Sequence, residues 1–75
     1  MTKSVFTKRY ERLRLLLVEA RRSTGLSQAE LAAKLRRPQS FVSKYERGER
    51  RLDVIEFLEI VEALELDAGA LLAKL

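Results

Sequence analysis

The chain is 75 residues long, carries a formal net charge of +4, and is 47% apolar. A chain this short forms one domain and buries only about 60% of its extended surface, so it must be compact and helix-rich to stand alone. It has no Cys and no His, which excludes a disulfide framework and the usual zinc sites and fits a reducing, cytoplasmic setting. Residues 1–6 read as a short N-terminal arm. The opening MTKSVFTKRYERLR carries charges where a signal peptide needs apolar residues. The apolar run 15–18 is far too short to span a membrane. From about Thr7 to Thr24 a long helix is expected, because Tyr10, Leu13, Leu17 and Ala20 step by three or four, and Leu16 widens the stripe. Gly25 ends it as a left-handed cap. Leu15 and Val18 fall off that stripe and offer a contact surface.

Next comes SQAELAAKLRRPQSFVSKYERG, residues 27–48. Ser27 and Glu30 form an S-x-x-E capping box, with Leu26 and Leu31 at the hydrophobic-staple positions around it. Leu31, Ala32 and Leu35 give a short helix one apolar face. Arg36-Arg37-Pro38 ends that helix, since a residue before proline is pushed out of the helical region. Pro38 is then placed in the first turn of a new helix, where its missing N–H costs little. Val42 and Tyr45 supply the buried side of this second helix. Gln39, Ser40, Ser43 and Lys44 are left facing out, and Gly48 stops the helix. Two short helices, a tight turn and a small alanine at the crossing make a helix-turn-helix, with its core at residues 27–47.

Glu49-Arg50-Arg51 forms a charged loop. Asp53 with Glu56 repeats the capping box, and Leu52 with Phe57 repeats the staple. Val54, Phe57, Leu58, Val61 and Leu64 are expected to be the buried stripe of this helix. Glu56, Glu59, Glu62 and Glu65 are expected on a solvated acidic face, turned away from any polyanion. Asp67 caps a last short helix, with Leu66 and Leu71 as its staple. Leu71, Leu72 and Leu75 are more apolar surface than that turn can bury alone. They imply either a dimer contact or docking on the first helix. Charge is also divided along the chain. Residues 1–52 hold 14 Lys/Arg against 5 Asp/Glu, and residues 53–75 hold 1 Lys against 6 Asp/Glu. A basic part followed by an acidic part is the footprint of a domain with one polyanion-facing side.

The segments GLSQAELA, SKYERG and RRLD, in this order and spacing, resemble the Cro/phage-repressor (XRE) type of helix-turn-helix. The likeness runs from about residue 13 to residue 72. It implies an all-α, compact five-helix lambda-repressor-like DNA-binding domain, with the helix-turn-helix formed by helices 2 and 3. It further implies a sequence-specific transcriptional regulator of bacterial or phage type. By default that is a repressor, binding double-stranded DNA as a homodimer on a pseudo-palindromic operator. A recognition helix offers its N-terminal residues to base edges. Those are Gln39, Ser40, Ser43 and Lys44. Gln39 suits adenine and Lys44 suits guanine. Phosphate contacts are expected from Gln28, at a helix N-terminus, and from Arg36, Arg37, Arg47, Arg50 and Arg51.

Glu46 is acidic on a helix meant for DNA. The resemblance pairs it with Arg21, as a mostly buried link from the recognition helix to the first helix. Phe41 either touches a thymine methyl or packs against the preceding helix. Two residues depart from the family pattern: Arg36 stands where glycine is usual, and Arg37 where an apolar residue is usual. A positive φ at Arg36 would cost about 1 kcal/mol. No cofactor, metal, small-molecule ligand or membrane partner is implied. A second reading keeps the fold as a protein-interaction module, such as an antitoxin or adapter. Gln39, Lys44 and the nearby arginines weigh against it. An enzyme is not expected, because there is no nucleophile–base pair, no phosphate loop and no pocketed carboxylate pair.

Overall fold

A computed structural model describes residues 7–75, so the N-terminal arm assigned to residues 1–6 lies outside the described residues. Five helices follow in chain order: α1 (Lys8–Thr24), α2 (Gln28–Leu35), α3 (Gln39–Glu46), α4 (Val54–Ala63) and α5 (Ala68–Leu72). No strand occurs among the described residues. Four of the helices start on a side-chain oxygen that accepts from the N–H three residues on. These are Thr7 to Tyr10 at 3.1 Å, Ser27 to Glu30 at 3.0 Å, Asp53 to Glu56 at 2.7 Å and Asp67 to Ala70 at 3.1 Å. At Ser27 and Asp53 the reciprocal bond closes the box, with Glu30 and Glu56 accepting the cap N–H at 2.8 and 3.0 Å. α3 is the exception. Pro38 stands at its N-cap rather than inside its first turn, and provides no side-chain acceptor.

The turn between α2 and α3 is regular despite its unusual residues. Arg36 takes the left-handed conformation at φ 57°. Its N–H reaches the Ala33 carbonyl at 3.1 Å, and the Arg37 N–H reaches Ala32 at 3.0 Å. This is the Schellman pattern normally given to glycine. The energy of a non-glycine residue there is stored as local strain, and the turn is not distorted. α4 ends the same way on Glu65 at φ 58°, with Leu66 N–H bonded to the Val61 carbonyl at 2.9 Å.

The core is built by every helix. Leu17 from α1 meets Leu31 and Ala32 from α2, Phe41, Val42 and Tyr45 from α3, the apolar side of α4, and Leu71. Ala32 is 2% exposed, and its small side chain sits where α2 and α3 cross. The buried stripe of α4 is Phe57, Ile60, Val61 and Leu64, which corrects the expected one. Val54 and Ile55 are 70% and 63% exposed, and Leu58 is 44% exposed. Both stripes satisfy a 3.6-residue period. Packing selects the phase that brings in Ile60 and leaves Val54 outside. Glu56 is also corrected: it is buried rather than on a solvated acidic face. At the C-terminus, Leu71 is buried within the chain, and Arg12 donates to the Leu75 carbonyl at 3.0 Å. Leu71 is part of the core cluster that includes Leu17 of α1. Leu75 is partly buried, and Leu72 remains exposed.

Candidate nucleic-acid interface

α3 is two-sided by periodicity. Phe41, Val42, Tyr45 and Glu46 turn inward, while Gln39, Ser40 and Lys44 are exposed and Ser43 is half-buried. The outward residues share one helix face near its N-terminus, the end a recognition helix presents to bases. The Ser43 hydroxyl accepts from Arg47.

The back of α3 is fixed by Glu46. Its carboxylate accepts from Arg21 Nε at 2.7 Å and from Arg21 Nη2 at 3.0 Å. Arg21 also donates to the Leu26 carbonyl at 2.7 Å, so the guanidinium ties α1, the loop before α2, and α3 together. Glu46 holds Arg21 above the ordinary arginine range. Gln28 completes the cluster. Its amide donates to Glu46 at 2.8 Å, so the side chain expected on a phosphate is here shared with the α3 anchor.

A second anchor is unexpected from the sequence. Arg14 donates to the main-chain carbonyl of Glu46 at the α3 C-terminus and is held by Glu11 at 2.7 and 3.2 Å. A cation there complements the helix dipole. The signal for it lay in α1, where Arg14 and Arg21 are seven residues apart and flank buried Leu17 on one face.

The arginines expected on phosphate divide into two groups. Arg36 is exposed, Arg47 pairs with Glu49 at 2.9 Å with both side chains about half exposed, and Arg51 lies over the Tyr10 ring at 4.2 Å. Arg50 and Arg37 are engaged on α4 instead. Arg50 meets Glu56 with two bonds, at 2.8 and 2.7 Å. Arg37 meets Glu59 at 3.1 Å and approaches Glu56 at 3.9 Å. Both guanidiniums lie over Phe41, at 4.6 and 5.0 Å from the ring centre. Phe41 itself is buried and packs edge-on to Tyr45 at 5.5 Å, so it follows the packing alternative. The Arg50 bond, aided by the Asp53 N–H, overcomes burial and lowers the Glu56 carboxyl from 4.5 to about 2.

Among the described residues no His, Cys, Asp or Glu group is arranged to hold a metal ion. No helix there is long and apolar enough to cross a membrane.

A helix-turn-helix family model matches residues 17–71. Among solved structures, an XRE-family like protein from Pseudomonas syringae pv. tomato str. DC3000 is 57% identical, with a TM-score of 0.85 over 88% of this chain and 80% of that one. The restriction-modification controller protein C.Esp1396I, solved as a tetramer in complex with its natural 35-base-pair operator, is 22% identical. Its TM-score is 0.81 over 91% of this chain and 93% of that one. The clp gene regulator ClgR from C. glutamicum is 24% identical, with a TM-score of 0.80 over 96% and 92%. At those identities the last two speak for the fold alone. No curated protein matches the chain.

Proposed function

This chain belongs to the XRE-type helix-turn-helix family of DNA-binding regulators, which are not enzymes, and from that premise we propose that it is a sequence-specific repressor. Residues 1–75 act as one domain in a bacterial or phage-infected cytoplasm. Two copies occupy an inverted-repeat operator, with the α3 helices about 34 Å apart, one turn of the double helix. Repression follows from occupancy of the operator.

One observation carries this reading. α3 turns Gln39, Ser40 and Lys44 outward while Glu46, on its back, is locked to Arg21 at 2.7 Å. A reading helix needs exposed donors and acceptors on a backbone that does not move. Gln39 pairs bidentately with adenine, Lys44 donates to guanine, and Ser40 and Ser43 adapt to either. Gln28, Arg36, Arg47 and Arg51 hold the phosphates. C.Esp1396I, which has a similar fold, is itself seen as a tetramer in complex with its natural 35-base-pair operator. Of the C-terminal leucines, Leu72 and Leu75 remain for the contact between copies.

The test is selection from a random duplex pool at two salt concentrations, with the wild type and the Gln39→Ala/Lys44→Ala double variant. Enrichment of one inverted repeat, lost in the double variant, is expected. Binding without enrichment would reduce the reading to phosphate attraction. Absence of binding would favour an interaction module instead, for which exposed Val54, Ile55 and Leu58 offer a surface.

A further inference from the structure

The ion pairs around α3 are of two kinds. Arg47 and Glu49 have side chains 56% and 54% exposed, so water and salt compete for both partners and the pair holds weakly. Glu56 is different. Its side chain is 9% exposed against 41% for Arg50, and it accepts two bonds from Arg50 and one from the Asp53 N–H. Arg50 is held further by the Arg51 carbonyl at 3.2 Å and by the face of Phe41. Arg37 shares that ring and lies 3.9 Å from the same carboxylate.

Arg37 and Arg50 lie just before and just after α3 in the chain, where an unpaired guanidinium would seek the DNA backbone. Phosphate contacts carry no sequence information directly, yet they supply essentially all non-specific affinity. Moving Arg50 onto a phosphate would leave a poorly solvated carboxylate without its main cation, and a buried charge is costly unless it is paired. One new phosphate contact is a small return against that loss.

We propose that Glu56 is a counter-anion that withholds Arg50 from the DNA backbone and so sharpens the preference for the operator over arbitrary duplex. The proposal rests on the DNA-binding reading above. Glu56 touches neither base nor phosphate; it is a positioning residue, acting through Arg50, while Arg37 is held by Glu59 at 3.1 Å.

The experiment measures binding to a fixed duplex of arbitrary sequence, and to the selected operator, across a salt series by fluorescence anisotropy. Glu56→Gln removes the charge while keeping shape and the capping-box acceptor. Its slope of log K against log salt on the arbitrary duplex should steepen by about 0.9 for the one arginine released, Arg50. The ratio of operator to arbitrary affinity should fall. Glu56→Gln/Arg50→Gln should return part of that slope, an outcome that a general loosening of α4 would not produce. Arg50→Gln alone is the independent arm should Glu56→Gln fail to fold, and its slope should match the wild type. An unchanged or shallower slope in Glu56→Gln overturns the proposal. So does a loss of about 0.9 in Arg50→Gln, which would put Arg50 on a phosphate. Failure of the wild type to bind any duplex is separate: it removes the DNA-binding reading, and this proposal with it.

Discussion

Arg21→Met takes away the cation around which Glu46 is arranged. The two side chains are 10% and 6% exposed, so neither charge can turn to water. The Glu46 carboxylate loses bonds of 2.7 and 3.0 Å and keeps only the Gln28 amide, while the Leu26 carbonyl loses its donor. Stranding one member of a buried pair costs about 3–5 kcal/mol. A domain of this size has only about 4–11 kcal/mol in all, at roughly 0.05–0.15 kcal/mol per residue. The single change therefore removes a large part of the stability. Glu46→Leu strands Arg21 and should cost a similar amount. Arg21→Met/Glu46→Leu leaves no buried charge and should be far less harmful than the sum, with a coupling of about 2–3 kcal/mol. Urea unfolding followed by far-UV circular dichroism reads all three losses against the wild type. A single-variant loss below about 1 kcal/mol, the range of exposed pairs, or strictly additive singles, would refute the reasoning.

Acid should act through Glu56. Its carboxyl is held at about 2 in the folded chain against 4.5 ordinarily, so between those values the unfolded chain binds more protons. The stability it contributes is therefore full above about pH 5 and lost as pH falls toward 2. Glu11 and Glu49 are also lowered, by hydrogen bonds from Arg14 and Arg47, but both carboxylates are exposed, at 41% and 54%. Thermal midpoints taken across this window should flatten in Glu56→Gln, and an undiminished acid slope would move the effect to another carboxylate. The α4 phase is tested by Ile60→Ala, which empties a site with 0% exposure and should cost about 2–5 kcal/mol. Val54→Ala should stay within about 0.5 kcal/mol, and a reversed order in chemical denaturation would put the α4 stripe back at Val54.

Whatever closes within a few residues is legible in the chain before it folds. The caps at Ser27, Asp53 and Asp67 and the left-handed stops at Gly25 and Gly48 are written as local residue patterns, because each bond they make spans three to five residues. The outward face of α3 was equally legible, since Val42 and Tyr45 set its phase. The Arg21–Glu46 link was indicated by family resemblance, not by spacing. Tertiary structure alone decided the rest. Val54 and Ile60 satisfy the same helical period, and only the neighbouring helices choose between them. Glu56 looks like its neighbours Glu59 and Glu62 until the loop after α3 swings Arg50 against it. Arg14 finds the end of α3 across 32 positions of chain. Leu71 has a place in the core only because the last helix folds back onto the cluster formed by the others. A carboxylate's partner and a stripe's phase depend on how helices cross, and crossing is set by side chains distant in sequence that meet only after the chain has folded.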